Sequence, residues 1–205
     1  MKFLICLSFI WLLSVAQEPP KKANTRITAE AAADPFDSAS VETMAAQCVT
    51  LETELGPIEI AMLPQNAPEA VRNFLNLSAA GALDTTTFSR VLKGFVIQGG
   101  NLQTSEKWNA DLARRMTHKL PDEPGLVKHV RGIVSMARTD EPNSATTHFF
   151  ILVGPAPHLD SKFAAFGQVT KGMEVVDAIN QAPGDGEKPN KPVRINRAVV
   201  APCKK

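Results

Sequence analysis

The sequence predicts a mainly β protein, a closed antiparallel eight-stranded barrel capped by two helices. Three observations point there. Ile58, Ile60 and Met62 recur at every second position, the period of a strand with one buried face. Short apolar runs of strand length follow at 91–92, 95–97, 133–137 and 149–152, bounded by glycine, proline and polar residues. Only two segments, one after Pro68 and one after Glu174, carry apolar residues at helical spacing. Closing the sheet removes the edges that so many short strands would otherwise expose.

Taken in order, Met1-Lys2, an apolar run over 3–15 and Ser14-Val15-Ala16 before Gln17 read as a Sec signal peptide, residues 1–16, cut after Ala16. The run is too short to span a bilayer. Cys6 lies inside it and not at its end, so a lipid-anchored cysteine is not indicated. Residues 17–46, rich in Ala, Pro, Glu and Lys, read as a flexible tether with a short helical turn near 41–46. The domain, residues 47–205, opens on a hairpin of 48–53 and 58–62 around Leu55-Gly56-Pro57. Pro68 then suits a first helical position and Glu69 a first turn. Val71, Phe74, Leu75 and Ser78 keep one face inward until Gly81 stops the helix, which caps one end of the barrel.

The next stretch, 87–101, sets Arg90 between two apolar runs and ends on Gly99-Gly100. With a turn at Lys93-Gly94, Arg90, Phe95 and Gln98 converge on one face, and the glycine pair permits a sharp turn. By itself this stretch reads as a surface hairpin with a solvated arginine, since lone charges mostly sit in water. Residues 102–128 are polar and poorly periodic, hence a loop, with Arg114, Arg115 and Lys119 a solvated basic cluster. Strand character resumes at 133–137 and 149–152. A second short helix follows at 174–180, with Val175, Val176 and Ile179 inward, and Lys191-Pro192 starts a closing strand that runs to Val200.

With 205 residues, 44% hydrophobic and 21% charged, the chain suits one well-buried domain. It carries 22 Lys+Arg and 21 Asp+Glu, and cleavage after Ala16 removes Lys2 and no acid, leaving a balanced mature chain. Nothing here asks for nucleic acid or an anionic membrane. His118, His129, His148 and His158 lack paired metal-ligand spacing, and HExxH, CxxC, GxSxG and a phosphate-cradling glycine loop are all missing, so no metal or cofactor is expected. His158, Asp160 and Ser161 are close in sequence, but a triad is a matter of geometry.

Several ordered motifs now combine: Phe88-Ser89-Arg90 with Phe95-Val96-Ile97-Gln98-Gly99-Gly100, then Ser135-Met136-Ala137-Arg138, His148-Phe149-Phe150, Leu159-Asp160 and Phe166-Gly167-Gln168. From about Gln47 to Ala201 the chain resembles the cyclophilins, peptidyl-prolyl cis/trans isomerases, and looks like their bacterial exported members. The resemblance implies proline-containing peptides and folding proteins as partners and a monomer, while the signal peptide over 1–16 implies a periplasmic or secreted location. It assigns Arg90 as the catalytic arginine and Phe95, Val96, Phe150, Leu159 and Phe163 as the lining of an apolar proline pocket. Gln98 matches a glutamine that grips the peptide backbone and helps hold the arginine, and Ala137-Arg138 matches a strand edge that pairs with the peptide. In a closed barrel of this family the first and last strands are neighbours, so Cys48 and Cys203 either form a disulfide or remain two thiols.

The chain departs from the family pattern in places. Val96 stands where methionine is usual, Phe163 where histidine or another aromatic is common, and Arg138 where eukaryotic members have asparagine; all leave the pocket apolar or the backbone contact intact. His148 replaces a glutamine, shares a face with Phe150, and is either a titrating group or a neutral hydrogen-bonded residue. His158 replaces a tryptophan that contacts cyclosporin, which implies weak inhibition. The rival to an isomerase is a chaperone or scaffold that binds proline segments with negligible turnover.

Overall fold

The computed structural model describes residues 33–203. The expected signal peptide, with its cut after Ala16, and residues 17–32 of the expected tether lie outside the described residues. In chain order the strands are β1 (Gln47–Thr53), β2 (Gly56–Met62), β3 (Thr87–Phe88), β4 (Arg90–Leu92), β5 (Val96–Gly99), β6 (Ile133–Met136), β7 (Phe149–Leu152), β8 (Ala165–Lys171), β9 (Gly184–Asp185), β10 (Lys188–Pro189) and β11 (Val193–Pro202). The α-helices are α1 (Val41–Ala45), α2 (Pro68–Ala79), α3 (Ala110–Thr117) and α4 (Met173–Gln181).

Nine of these strands form one sheet in the order β3-β11-β1-β2-β8-β6-β7-β5-β4, and every neighbouring pair is antiparallel. The two outer segments, β3 and β4, are consecutive in the chain and separated only by Ser89. One bent strand therefore pairs with β11 on one side and β5 on the other, and the ring closes through its backbone. Nine segments thus make the eight-stranded barrel that the sequence predicts.

Alternation sorts the side chains of this wall. Val91, Ile97, Val134, Met136, Phe149 and Ile151 face the main core, where Phe74 of α2 meets Phe149 at 5.2 Å and Phe166 at 4.9 Å between ring centroids. Their neighbours Val96, Ile133, Phe150 and Leu152 belong to a second apolar cluster with Leu159 and Ala165, against which Phe95, Ala137 and Phe163 pack. A strand buried on both faces carries a continuous apolar run, as 149–152 does. The second cluster becomes the floor of the site.

The helices sit where the sequence places two of them. Pro68 opens α2, whose first N–H groups at Glu69 and Ala70 donate to the Glu123 carboxylate at 2.9 Å each, an anion at the positive end of the helix. Gly81, at φ 66°, ends the run. α4 meets the start of β2, where a Cβ on Gly56 would lie 3.0 Å from Val175, while α2 follows the end of β2.

Three readings are corrected. Residues 33–46 of the expected tether are built onto the barrel, and the compact unit starts at Ala33 and not at Gln47. Met44 is fully buried, Phe36 N–H donates to Asn76 Oδ1 at 2.8 Å, and one Arg72 nitrogen donates to the carbonyls of Phe36, Asp37 and Ala39 at 2.6, 3.1 and 3.0 Å. The expected loop 102–128 contains α3, which buries only Leu112 and so shows no apolar period. Its order comes from polar chemistry: the Asn109 side chain accepts from Asp111 and Leu112 N–H, and Asp111 pairs with Arg114 and Arg115. Arg115 is accordingly not solvated; it grips Asp34 through two bonds of 2.7 and 2.9 Å, with its side chain 14% exposed. Arg114 and Lys119 stay largely exposed, paired with Asp111 and Glu141.

Cys48 and Cys203 are joined by a disulfide with Cα atoms 4.9 Å apart. β1–β11 pairing brings them together, since Cys48 faces Ala201 and Cys203 N–H donates to Ala46 O at 3.0 Å.

Candidate active site

The register of β4, β5, β7 and β6 aligns Arg90 with Gln98, Gln98 with Phe150, and Phe150 with Ser135. Residues directly opposite one another in antiparallel strands share a face, so this row carries a cation, an amide and an aromatic ring onto the outer wall of the barrel. Above it lies a cleft of about 560 Å³. All ten residues expected to contact substrate line it: Arg90, Phe95, Val96, Gln98 and Ala137 with Arg138, His148, Phe150, Leu159 and Phe163. Thr139, Ser144 and Thr146, which sequence reasoning passes over, complete the lining.

The floor is apolar and packed. Phe150 and Phe163 meet edge to face with centroids 6.1 Å apart, and Phe150, Val96 and Leu159 are buried. Phe95 comes from the turn between β4 and β5 and lies 5.6 Å from the ring of His158, which is exposed at the rim. That turn is clamped by Asn180 of α4, whose Oδ1 accepts from Gly94 N–H at 2.9 Å and whose Nδ2 donates to the carbonyls of Leu92 and Val96 at 2.8 and 3.2 Å. A buried asparagine on the inward face with Val176 and Ile179 is a signal that the sequence does contain.

Arg90 stands at the mouth with its side chain 44% exposed. Its Nη1 donates to Gln98 Oε1 at 3.0 Å and its Nε to Glu187 Oε2 at 2.6 Å. Glu187 sits in the tight turn between β9 and β10, and its carboxyl is held below the usual range by the Arg90 guanidinium. Nη2 of Arg90 takes no hydrogen-bond partner among the described residues.

The strand edge expected at Ala137-Arg138 narrows to one residue. Ala137 N–H already donates to His148 O at 2.9 Å, whereas the backbone N–H and C=O of Arg138 have no partner among the described residues. The Arg138 guanidinium lies 4.9 Å over the Phe163 ring, donates to the carbonyls of Thr139 and Lys162 at 2.8 and 3.3 Å, and lies 3.6 Å from Asp122. It braces the pocket wall and leaves its own main chain open to an extended ligand. His148 lines the cleft half-buried, and burial pushes its pKa down, which favours the neutral ring.

Behind the floor, Ser135 Oγ lies 3.0 Å from His129 Nε2, and His129 Nδ1 lies 3.2 Å from Asp160 Oδ1. These are hydrolytic residue types, but Ser135 is fully buried and His129 nearly so, and no substrate reaches them. The chain of bonds supports the sheet under Phe150. Asp160 also pairs with Lys128, so the sequence cluster of His158, Asp160 and Ser161 is not a triad. Among the described residues no group of His, Cys, Asp and Glu could hold a metal ion.

Such an arrangement can hold an apolar ring in a pocket, align an extended backbone beside it, and place a fixed positive charge at the rim. Comparisons with known proteins agree with that chemistry. Residues 48–200 match the family described as cyclophilin type peptidyl-prolyl cis-trans isomerase/CLD. A peptidyl-prolyl cis-trans isomerase of Arabidopsis thaliana is 40% identical over 137 residues, 66% of this chain and 61% of that protein, so this chain spans about three fifths of that relative. Peptidyl-prolyl cis-trans isomerase A of Dickeya dadantii is 38% identical over 165 residues, covering 74% of this chain and 83% of its own. The crystal structure of a cyclophilin type peptidyl-prolyl cis-trans isomerase of Cryptosporidium parvum, obtained in the presence of the dipeptide Ala-Pro, superposes with a TM-score of 0.67 at 31% identity, over 75% of this chain and 98% of that one. A family match that takes in nearly the whole barrel, and relatives alike across most of its length, lead to one conclusion: this chain belongs to the cyclophilin-type peptidyl-prolyl cis-trans isomerases.

Proposed function

We propose that this isomerase acts on Xaa-Pro bonds of exported proteins and that Arg90 accelerates rotation by stabilising the twisted amide. Rotation about a prolyl bond is slow because amide resonance sets a barrier of about 18–20 kcal/mol. In the twisted state the proline nitrogen loses conjugation and gains lone-pair character. An N–H donor held there, or at the moving carbonyl oxygen, favours that state over both planar ones. Arginine fits the task because its charge does not titrate and its fork can be held at one end while it donates from the other. The row of Arg90, Gln98 and Phe150 over one cleft is the observation that carries this reading.

An acceleration of about five decades requires about 7 kcal/mol. One hydrogen bond to a charged group contributes about 1.5–3 kcal/mol, so the pocket must supply the rest by holding the proline ring while the flanking chain moves. The Ala-Pro dipeptide present with the related structure supports a proline-containing ligand in this cleft. The main-chain groups of Arg138, without a partner among the described residues, support an extended one. The Cys48–Cys203 disulfide supports a periplasmic or secreted location, where such bonds persist, and we take the protein to work as a monomer. His158 at the rim supports weak cyclosporin inhibition; nanomolar binding contradicts it.

The test is a protease-coupled isomerisation assay on a short Xaa-Pro peptide. The native chain accelerates the reaction and Arg90→Ala loses most of the acceleration. Equal rates for the two, with peptide still bound, point to the scaffold reading.

A further inference from the structure

Arg90 is held at two points from two different elements. Gln98 on β5 takes one Nη1 proton at 3.0 Å, and Glu187 takes the Nε proton at 2.6 Å from the opposite side of the chain, 97 residues away. A planar group fixed by one bond still swings about it; a second bond at another nitrogen fixes its plane and its direction. Among the described residues Nη2, the nitrogen most distant from the backbone, remains unengaged.

The carrier of Glu187 is itself anchored independently of the carboxylate. Glu187 O accepts from Val91 N–H at 2.8 Å, a main-chain bond that docks the β9–β10 turn on β4, and Asn190 N–H donates to Pro183 O at 2.9 Å, which closes the base of the hairpin. Gly186, at φ 56°, makes the tight turn that puts the next residue at its tip. The turn therefore keeps its place when the side chain changes, and the carboxylate is aimed by backbone geometry at Arg90 in the cleft mouth.

We propose that Glu187 is a positioning residue for catalysis: its carboxylate fixes the plane of the Arg90 guanidinium so that Nη2–H points at the rotating prolyl amide. This rests on the reading of Arg90 given above. The role is one of orientation and acceptor geometry. A carboxylate that merely offset the positive charge would weaken the donor, and its removal would speed the reaction. A group that orients the donor acts in the transition state, so its loss slows turnover and leaves affinity for the planar peptide alone.

The experiment measures cis/trans exchange of a saturating Xaa-Pro peptide by NMR, together with the peptide dissociation constant, for the native chain, Glu187→Ala, Glu187→Gln and Arg90→Ala. Glu187→Ala is expected to slow bound-state exchange by about tenfold or more with affinity within about twofold, since small misplacement of a reacting group carries losses of that order. Glu187→Gln keeps a carbonyl oxygen that accepts the Nε proton and recovers most of the rate. An unaltered or faster exchange in Glu187→Ala overturns the assignment, as does an equal loss in the Ala and Gln variants. If Arg90→Ala abolishes exchange while Glu187→Ala does not, only the role of Glu187 fails. If Arg90→Ala leaves exchange intact, the reading of Arg90 fails first and that of Glu187 with it.

Discussion

Opening the Cys48–Cys203 disulfide should destabilise the barrel without touching the cleft. The bond links the second residue of β1 to the residue after β11, and the two cysteines are 155 residues apart in sequence. In the folded chain this seam is already held by the β1–β11 ladder and by Cys203 N–H on Ala46 O, so the native geometry survives the loss. The effect falls on the unfolded chain, which regains the freedom of an opened loop. A loop of that length corresponds to about 5 kcal/mol at 25 °C on the chain-entropy estimate, and measured disulfides typically contribute about 2–4 kcal/mol. At about 2–4 °C per kcal/mol for a domain of this size, the unfolding midpoint should fall by about 4–20 °C. The assay is thermal and urea unfolding of the native chain, the reduced chain and the double variant Cys48→Ala with Cys203→Ala, with isomerase rates at 25 °C. Reduced and double-variant chains should agree and keep their activity, because the cleft lies on the β4–β5–β7–β6 wall. An unchanged midpoint refutes the entropic reasoning, and activity lost from still-folded protein refutes the separation of seam and cleft.

Stability should also fall in mild acid. Burial holds both His129 and His148 below the usual histidine pKa, so the unfolded chain takes up protons first, at about pH 6.5. Their contribution is complete above that value and is lost as pH drops through the folded pKa values, at most about 1.4 kcal/mol per pH unit for each ring; urea midpoints that rise from pH 8 to pH 5 contradict it. Turnover should decline modestly as pH falls below the usual histidine range and His148, its pKa held down by burial, charges inside the cleft, and His148→Gln should flatten the profile. A native profile that is itself flat, with the fold intact, argues against a titrating His148. Asn180→Ala leaves Gly94 N–H and the carbonyls of Leu92 and Val96 without their partner and should cost about 1–3 kcal/mol while weakening peptide binding through Phe95. Unchanged affinity there contradicts a clamped Phe95 turn.

What the sequence made legible was decided by periodicity and by order. Period-two alternation correctly sends Phe149 to the core and His148 and Phe150 to the cleft, and the Arg90–Gln98 spacing around Lys93-Gly94 makes those two direct cross-strand partners. α3 is not legible as a helix in the sequence because one buried leucine leaves no apolar period; its signals are an N-cap asparagine and i,i+3 and i,i+4 ion pairs. Residues 33–46 look like a tether in composition because they are held by Arg72, Asn76 and Arg115, side chains 33–81 positions away. Glu187 was hidden for the same reason: a Gly-Asp-Gly-Glu turn reads as a turn, and only the closed ring brings it to Arg90. Local chemistry is written locally; a charge pair across the fold is not.

The central claim is that a guanidinium at the mouth of an apolar pocket stabilises the half-rotated prolyl bond and not the planar one. Measuring the exchange rate of bound peptide and its dissociation constant in the same titration separates those states. The native chain and Arg90→Ala should bind with similar affinity while exchange in the variant drops by about two decades or more. Equal exchange in the two proteins, or a loss confined to affinity, contradicts the claim.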